Sequence, residues 1–193
     1  MNKKNMKAKT TKGFILAAGL GSRLLPLTQQ TPKPLLPFMG RPLLQVILKQ
    51  LEELQISELM INGHYLAHKI RTFLEKNTQK ISIKLQHEKE KILGTGGALA
   101  TCKNWVEENN SLLVLNADII HNFNIKKIIQ HHHYHNNYAT MALTPQPHPK
   151  GETIVWANEG RVVAIGGERP PGATPHGFAC IQILSRAFLE KIP

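Results

Sequence analysis

The sequence predicts an α/β protein: a mostly parallel central sheet with helices packed on its faces, one three-layer sandwich. Three observations carry this. From Gly13 onward, short apolar runs alternate with longer amphipathic segments, the rhythm of strand–helix–strand units. The run Ser111-Leu112-Leu113-Val114-Leu115 is apolar without alternation, as a strand buried on both faces of a parallel sheet must be. Finally, a chain of 193 residues, 41% hydrophobic and 19% charged, is the size of one domain. It buries about 70% of its unfolded surface, so neither a disulfide framework nor a structural metal is needed and disorder is excluded.

The elements follow in order. Residues 1–12 carry Lys3, Lys4, Lys7, Lys9 and Lys12, no acid and little apolar content, and read as a flexible basic tail. Residues 13–193 show no internal repeat and no dividing linker, and read as a single domain. The first strand covers 13–18. A loop rich in Gly and Pro fills 19–42, followed by a helix with Leu44, Ile47, Leu48, Leu51 and Leu54 at helical spacing. A second strand (58–62), a helix (66–75) and a third strand with period-two alternation (81–86) come next. A further helix starts after Gly97. Residues 111–115 form the central strand and deliver Asn116, Ala117 and Asp118 to its carboxyl end. Beyond it lie a helix (125–135), a strand (138–143), a loop with Pro145, Pro147 and Pro149, short strands at 153–156 and 161–165, and a strand at 178–183. Ligands of open parallel sheets bind at the carboxyl ends of the strands, so the loop after the first strand and Asn116-Ala117-Asp118 are expected to face one cavity.

Composition narrows the partners. A formal charge of +11 attracts phosphates and repels cations. Discounting the five lysines of the tail leaves a surplus of six, which favours a small phosphorylated substrate over nucleic acid. Helix-turn-helix and stacking-aromatic patterns are absent, so nucleic-acid binding ranks last. Cys102 and Cys180 stand far apart in no metal-like spacing, which fits a reducing cytoplasm. No apolar run approaches the roughly 20 residues that span a bilayer, so no membrane partner is expected. His131, His132, His133 and His135 cluster near the end of a helix. Only His131 with His135 has the i, i+4 spacing of a helical zinc pair, and no third ligand is in view, so they read as solvated histidines. Trp105 and Trp156 read as packing residues.

The loop Gly19-Leu20-Gly21-Ser22-Arg23 directly follows the first strand. Its glycines let backbone amides approach a phosphate, Ser22 offers a hydroxyl, and Arg23 is a planar cation suited to phosphate oxygens. A plain strand-to-loop turn would also explain a lone Gly-x-Gly. It is neither the dinucleotide fingerprint, since Leu24 stands where the third glycine belongs, nor a Walker loop.

Across residues 16–44 the run LAAGLGSRLLPLTQQTPKPLLPFMGRPLL resembles the signature of the sugar-1-phosphate nucleotidyltransferases, the NDP-sugar pyrophosphorylases. Gly19, Gly21, Ser22, Arg23, Pro26-Leu27-Thr28, Pro32-Lys33-Pro34 and Gly40-x-Pro42 keep the family's order and spacing. The resemblance implies a Rossmann-like nucleotide-diphospho-sugar transferase fold in which Gly19, Gly21 and Ser22 hold the triphosphate. Arg23 would face its β and γ phosphates, and Lys33 would reach the α phosphate; these two cations are the expected catalytic groups. Leu93-Gly94-Thr95-Gly96-Gly97 resembles the family's second glycine loop, which implies nucleobase contact for Gly94 and Thr95. Asn116-Ala117-Asp118 resembles the strand-end Asn-Gly-Asp, which implies that Asn116 meets the sugar phosphate and Asp118 binds Mg²⁺. Asp118 is the only aspartate of the chain.

On the acceptor side, Pro147-His148-Pro149-Lys150-Gly151-Glu152 is similar to a stretch of the muramate-1-phosphate uridylyltransferase branch, and Gly167-Glu168-Arg169-Pro170 resembles a Glu-Lys-Pro that grips sugar and phosphate. Glu152, Glu168 and Arg169 are the implied sugar-phosphate contacts, with an ordinary surface charge as the other reading of each glutamate. The implied reaction joins a nucleoside triphosphate to a sugar 1-phosphate, giving NDP-sugar and pyrophosphate. UTP with N-acetylmuramate 1-phosphate, a cell-wall precursor sugar, is the first substrate reading. Mannose- or heptose-1-phosphate guanylyl transfer is the second, and a nucleotide- or sugar-phosphate-binding protein that has lost the chemistry is the third. The family's second metal-binding aspartate, often in a W-x-D-x-G-T-like segment, has no counterpart. A C-terminally shortened version of a longer protein, or a metal held by Asp118 and water alone, is therefore expected.

Overall fold

The structure is a computed structural model in which residues 9–77, 80–145 and 153–193 are described. The first strand, β1 (Thr11–Leu16), starts two residues before the expected boundary. Lys12, assigned above to the tail, is thus its second residue. Its side chain is buried, 3.0 Å from a Glu58 carboxylate oxygen and 4.9 Å from the centre of the Trp105 ring. Its long apolar stem lets it pack there while its ammonium finds a partner.

The expected loop is ordered by three 3-10 turns, Ser22–Leu24, Leu27–Gln29 and Lys33–Leu35, and by a two-residue hairpin of β2 (Pro37–Phe38) and β3 (Arg41–Pro42). Helix α1 (Leu43–Glu53) buries Leu44, Ile47, Leu48 and Leu51, the stripe that its spacing predicts. Then come β4 (Glu58–Gly63), α2 (Ala67–Lys76) and β5 (Ser82–His87). Helix α3 (Gly94–Ala100) begins four residues before the expected start at Ala98. Each helical glycine costs about 1 kcal/mol relative to alanine, and that cost is offset by burial of Ala98 and Leu99.

Strand β6 (Ser111–Asn116) is buried along its whole apolar run. Helix α4 (Ile125–His135) has the predicted ends because both are capped: the Asn124 side chain accepts from Lys127 N, and Asn136 turns left-handed with φ 49°. The remaining elements are β7 (Ala139–Thr144), β8 (Val155–Asn158), β9 (Arg161–Ile165), β10 (Thr174–Ser185) and α5 (Arg186–Leu189).

Strands β5, β4, β1 and β6 lie side by side and parallel. β10 runs antiparallel between β6 and β7, and its first residues pair with β8, which pairs with β9. The sheet is mixed, with a parallel core. One face packs Ile15, Leu59, Ile61, Leu113 and Leu115 against α1 and its neighbours. The other packs Phe14, Met60, Leu112 and Val114 against Ala98, Leu99, Cys102 and Leu189. β1, β4 and β6 therefore contribute apolar side chains to both layers, as period-two geometry requires of central strands.

The solvated reading of the histidines is corrected for one of them. His132 is only 3% exposed, with Nδ1 2.9 Å from Thr140 Oγ1, and burial with nearby cationic groups lowers its pKa to about 4. His133 is half-buried and meets Ser111 Oγ at 2.9 Å, while the His131 and His135 rings lie 4.5 Å apart on the outer face. Among the described residues no helix is long and apolar enough to cross a membrane.

Candidate active site

Three strands end at one level. Leu16 of β1 pairs with Asn62 of β4 on one side and with Asn116 of β6 on the other. The chain leaves the sheet there, and the segments beyond enclose an open cavity of about 490 Å³. Gly19, Gly21, Ser22, Arg23, Lys33, Gly94, Thr95, Asn116 and Asp118 all line it. Two glycine segments and a strand-end carboxylate, up to 99 residues apart in sequence, are thus brought together by the parallel pairing of β1 with β6.

Gly21 holds φ +70°, and a Cβ built there would sit 2.8 Å from Thr28 Cγ2. Both facts require glycine. Thr28 is fully buried, and its hydroxyl donates to the Gly21 carbonyl at 2.8 Å, tying the loop back on itself. The Leu27–Gln29 turn is braced from outside: Tyr65 donates to Gln29 O at 2.8 Å, and Lys69 to Gln30 O.

Lys33 stands between two buried prolines. Leu35 N donates to Pro32 O at 2.8 Å and Leu36 N to Lys33 O at 3.1 Å, so the backbone carrying the ammonium is fixed on both sides. Its Nζ donates to Asp118 Oδ2 across the cavity. Each side chain keeps about a third of its surface in contact with solvent, so the pair can open to admit a ligand at modest cost.

The carboxylate of Asp118 suits a hard divalent cation. Mg²⁺ is commonly held by one or two carboxylates with substrate phosphates and water rather than by a protein cage. As a strand-end carboxylate on the cavity wall, Asp118 fits that pattern, with the substrate to supply further oxygens. Just beyond, His121 packs beside Phe123, and burial lowers its pKa, which keeps it neutral.

Two polar residues that sequence reasoning missed support this site. Asn62 is 3% exposed and lines the cavity; its Oδ1 accepts from Ala17 N at 2.7 Å, and its Nδ2 donates to Glu88 Oε1 at 2.8 Å. Glu88, 4% exposed, accepts from Leu93 N at 2.9 Å through its other oxygen. Asn62 carried a usable signal, a polar residue ending an apolar strand at the sheet's carboxyl edge. Glu88 carried none, standing within the charged stretch His87-Glu88-Lys89-Glu90-Lys91 that reads as solvated.

The acceptor-side residues are not gathered in. Glu168 and Arg169 are exposed on the turn after β9 and do not line the cavity; Arg169 Nε donates to Ala173 O at 2.8 Å. Glu152 lies outside the described residues.

A mixed Rossmann-like sheet with a parallel core, with glycine segments and one carboxylate at the carboxyl edge of that core, is the architecture of NDP-sugar transferases. The chain belongs to the nucleotidyl transferase family, whose pattern matches residues 12–179. It is 32% identical over 186 residues to the mannose-1-phosphate guanylyltransferase catalytic subunit beta of Drosophila melanogaster, covering 94% of this chain and 50% of that protein. It is 31% identical over 187 residues to mannose-1-phosphate guanyltransferase beta-B of Xenopus laevis, covering 94% and 51%. The chain spans about half the length of the curated relatives it matches. Among solved structures, a glucose-1-phosphate thymidylyltransferase of Bacillus anthracis superposes with a TM-score of 0.79 at 21% identity, covering 94% of this chain and 74% of that one. HddC of Yersinia pseudotuberculosis complexed with GMP-PN superposes with a TM-score of 0.74 at 23% identity, covering 94% and 80%. At these identities the solved structures define the fold alone.

Proposed function

We propose that this chain joins a nucleoside triphosphate to a sugar 1-phosphate, releasing pyrophosphate. The observation that carries the reading is Lys33 set against Asp118 in a cavity bounded by both glycine segments. A phosphate oxygen of the sugar 1-phosphate attacks the α phosphorus in line, and the bond from that phosphorus to the pyrophosphate oxygen breaks. No protein nucleophile is needed. The protein aligns two anions that would otherwise repel and neutralises charge that builds on the α phosphate and the leaving group.

In this reading the backbone at Gly19 and Gly21 and the Ser22 hydroxyl cradle the triphosphate. Arg23 faces its outer phosphates, and Lys33 leaves Asp118 for the α phosphate. Gly94 and Thr95 edge the base, and Asn116 meets the sugar phosphate. Asp118 would hold Mg²⁺, which supplies additional positive charge to the reacting phosphates when bound. Glu152, Glu168 and Arg169 remain proposed acceptor contacts, Glu168 and Arg169 from the turn after β9.

For the base, the names of the matched relatives favour the guanylyl reading, GTP with mannose 1-phosphate or a heptose 1-phosphate, over UTP with N-acetylmuramate 1-phosphate.

Pyrophosphate release across four nucleoside triphosphates and these three sugar phosphates, with Mg²⁺, tests the proposal. We expect turnover with GTP and a loss of about 10²–10³-fold in kcat for Lys33→Ala, the size of effect seen when one preorganised charge-stabilising donor is removed. Equal rates for wild type and Lys33→Ala would overturn the catalytic assignment. Tight nucleotide binding with no pyrophosphate from any pair would favour the binding-protein reading.

A further inference from the structure

Outside the reacting groups, the buried carboxyl group of Glu88 is not used by the mechanism above. The Glu88 carboxylate is 4% exposed, and its hydrogen-bond partners are neutral donors, Asn62 Nδ2 at 2.8 Å and Leu93 N at 2.9 Å. A buried carboxylate without a cation is a costly group to keep for stability alone. Its chemistry is dictated by what it faces. Both partners are N–H donors, so both carboxyl oxygens accept. A glutamine would turn its own NH₂ toward one of them.

The bonds form a bridge of fixed length. Ala17 N–H, the first donor beyond β1, is held by Asn62 Oδ1 at 2.7 Å; Asn62 is held by Glu88; Glu88 holds Leu93 N–H, the residue before Gly94. The centre of the bridge is itself pinned, because Glu88 N donates to Gly63 O at 2.9 Å and His64 Nδ1 donates to Glu88 O at 2.6 Å. Thus two glycine segments from different parts of the sequence are clamped at one separation before any ligand arrives. Gly94 itself, at φ +70° with open space around its Cβ direction, has little packing to hold it.

We propose that Glu88, acting through Asn62 and Leu93 N–H, is a positioning residue that presets the width of the base-binding side of the cleft. The inference rests on the reading of the site given above. Preordering of this kind acts on binding, since it removes an ordering cost that the nucleotide would otherwise meet. It does not touch the reacting phosphates, so it acts on nucleotide KM and not on kcat or on the sugar phosphate.

Three variants of the full chain test it, by titration calorimetry with each nucleoside triphosphate and by steady-state kinetics. Glu88→Gln keeps one acceptor and sets a donor against Leu93 N–H. Leu93→Pro deletes that donor from the other side, at a residue whose φ of −75° suits proline. Leu93→Ala retains the N–H. We expect Glu88→Gln and Leu93→Pro to weaken nucleotide binding about tenfold or more, as for loss of a hydrogen bond to a charged group. Leu93→Ala should bind as wild type, with sugar-phosphate KM and kcat within about threefold in all three. If Glu88→Gln does not fold, Leu93→Pro alone decides. Nucleotide affinity unchanged in Leu93→Pro, or kcat falling as far as affinity, overturns the positioning role while leaving the site reading intact. A wild-type chain that binds none of the triphosphates overturns that reading and this inference together.

Discussion

Gly21 and Thr28 show how narrowly single residues constrain the phosphate loop. Two separate penalties bear on Gly21→Ala: a left-handed φ of +70°, and a new methyl 2.8 Å from Thr28 Cγ2. The first costs about 1–2 kcal/mol, and the overlap adds to it, because Thr28 is fully buried and cannot swing away without breaking its bond to Gly21 O. Urea unfolding should therefore find Gly21→Ala destabilised by about 2–3 kcal/mol. Thr28→Ser removes the clashing methyl and keeps the hydroxyl, so the double variant should recover the steric part and not the conformational part. A double variant no more stable than Gly21→Ala would show that the crowding is relieved elsewhere.

At the scale of elements, Lys12 marks where a charge pattern misleads. Five lysines in a dozen residues read as a solvated tail, yet β1 has already begun. A strand can recruit a lysine whose stem packs and whose ammonium escapes to Glu58, itself half-exposed. A pair with one exposed partner contributes little, roughly 0–1 kcal/mol, so most of the value of Lys12 lies in its buried stem, with the ammonium 4.9 Å from the centre of the Trp105 ring adding to it. Lys12→Met should then stay within about 1 kcal/mol of wild type, while Lys12→Ala loses about 1–2 kcal/mol in the same unfolding assay. Equal losses would assign the stability to the charge. Elements whose signal is local were legible: α1 from its stripe, β6 from its unbroken apolar run, and α4 from the asparagines at both ends. β10 was legible only over its apolar stretch, because its first residues, Thr174, Pro175 and His176, pair with β8 and read as loop. The site divides in the same way. Residues in glycine and proline motifs were legible. Asn62 and Glu88 were not, since their roles arise from pairing between β1, β4 and β5 that no local window contains.

On the scale of the whole molecule, the chain carries an excess of positive charge, and its histidines decide how that excess grows in acid. His132 lies at the end of the sheet opposite the cavity, where burial first, and then the neighbouring His133, Lys9 and His131, bring its pKa down to about 4. His133 is lowered as well, by burial and by Lys9. An unfolded histidine takes up its proton near pH 6.5. Between that value and about 4 the unfolded chain therefore binds a proton at His132 that the folded chain refuses. The stability contributed by neutral His132 is complete above pH 6.5 and is lost as pH falls through the window, at a rate of up to about 1.4 kcal/mol per pH unit. Urea unfolding between pH 4.5 and 7.5 should show this loss, and His132→Leu, which has no proton to take up, should flatten the slope by about one proton. Thr140 Oγ1 loses one of its two partners in that variant, keeping Asn137 Nδ2 at 3.2 Å, so its stability at pH 7.5 should fall while its pH dependence weakens. The two effects have opposite signs in acid, and the wild-type and His132→Leu curves should converge as pH drops. Parallel curves over the whole range would show that His132 is protonated alike in both states and that carboxylates elsewhere govern acid unfolding.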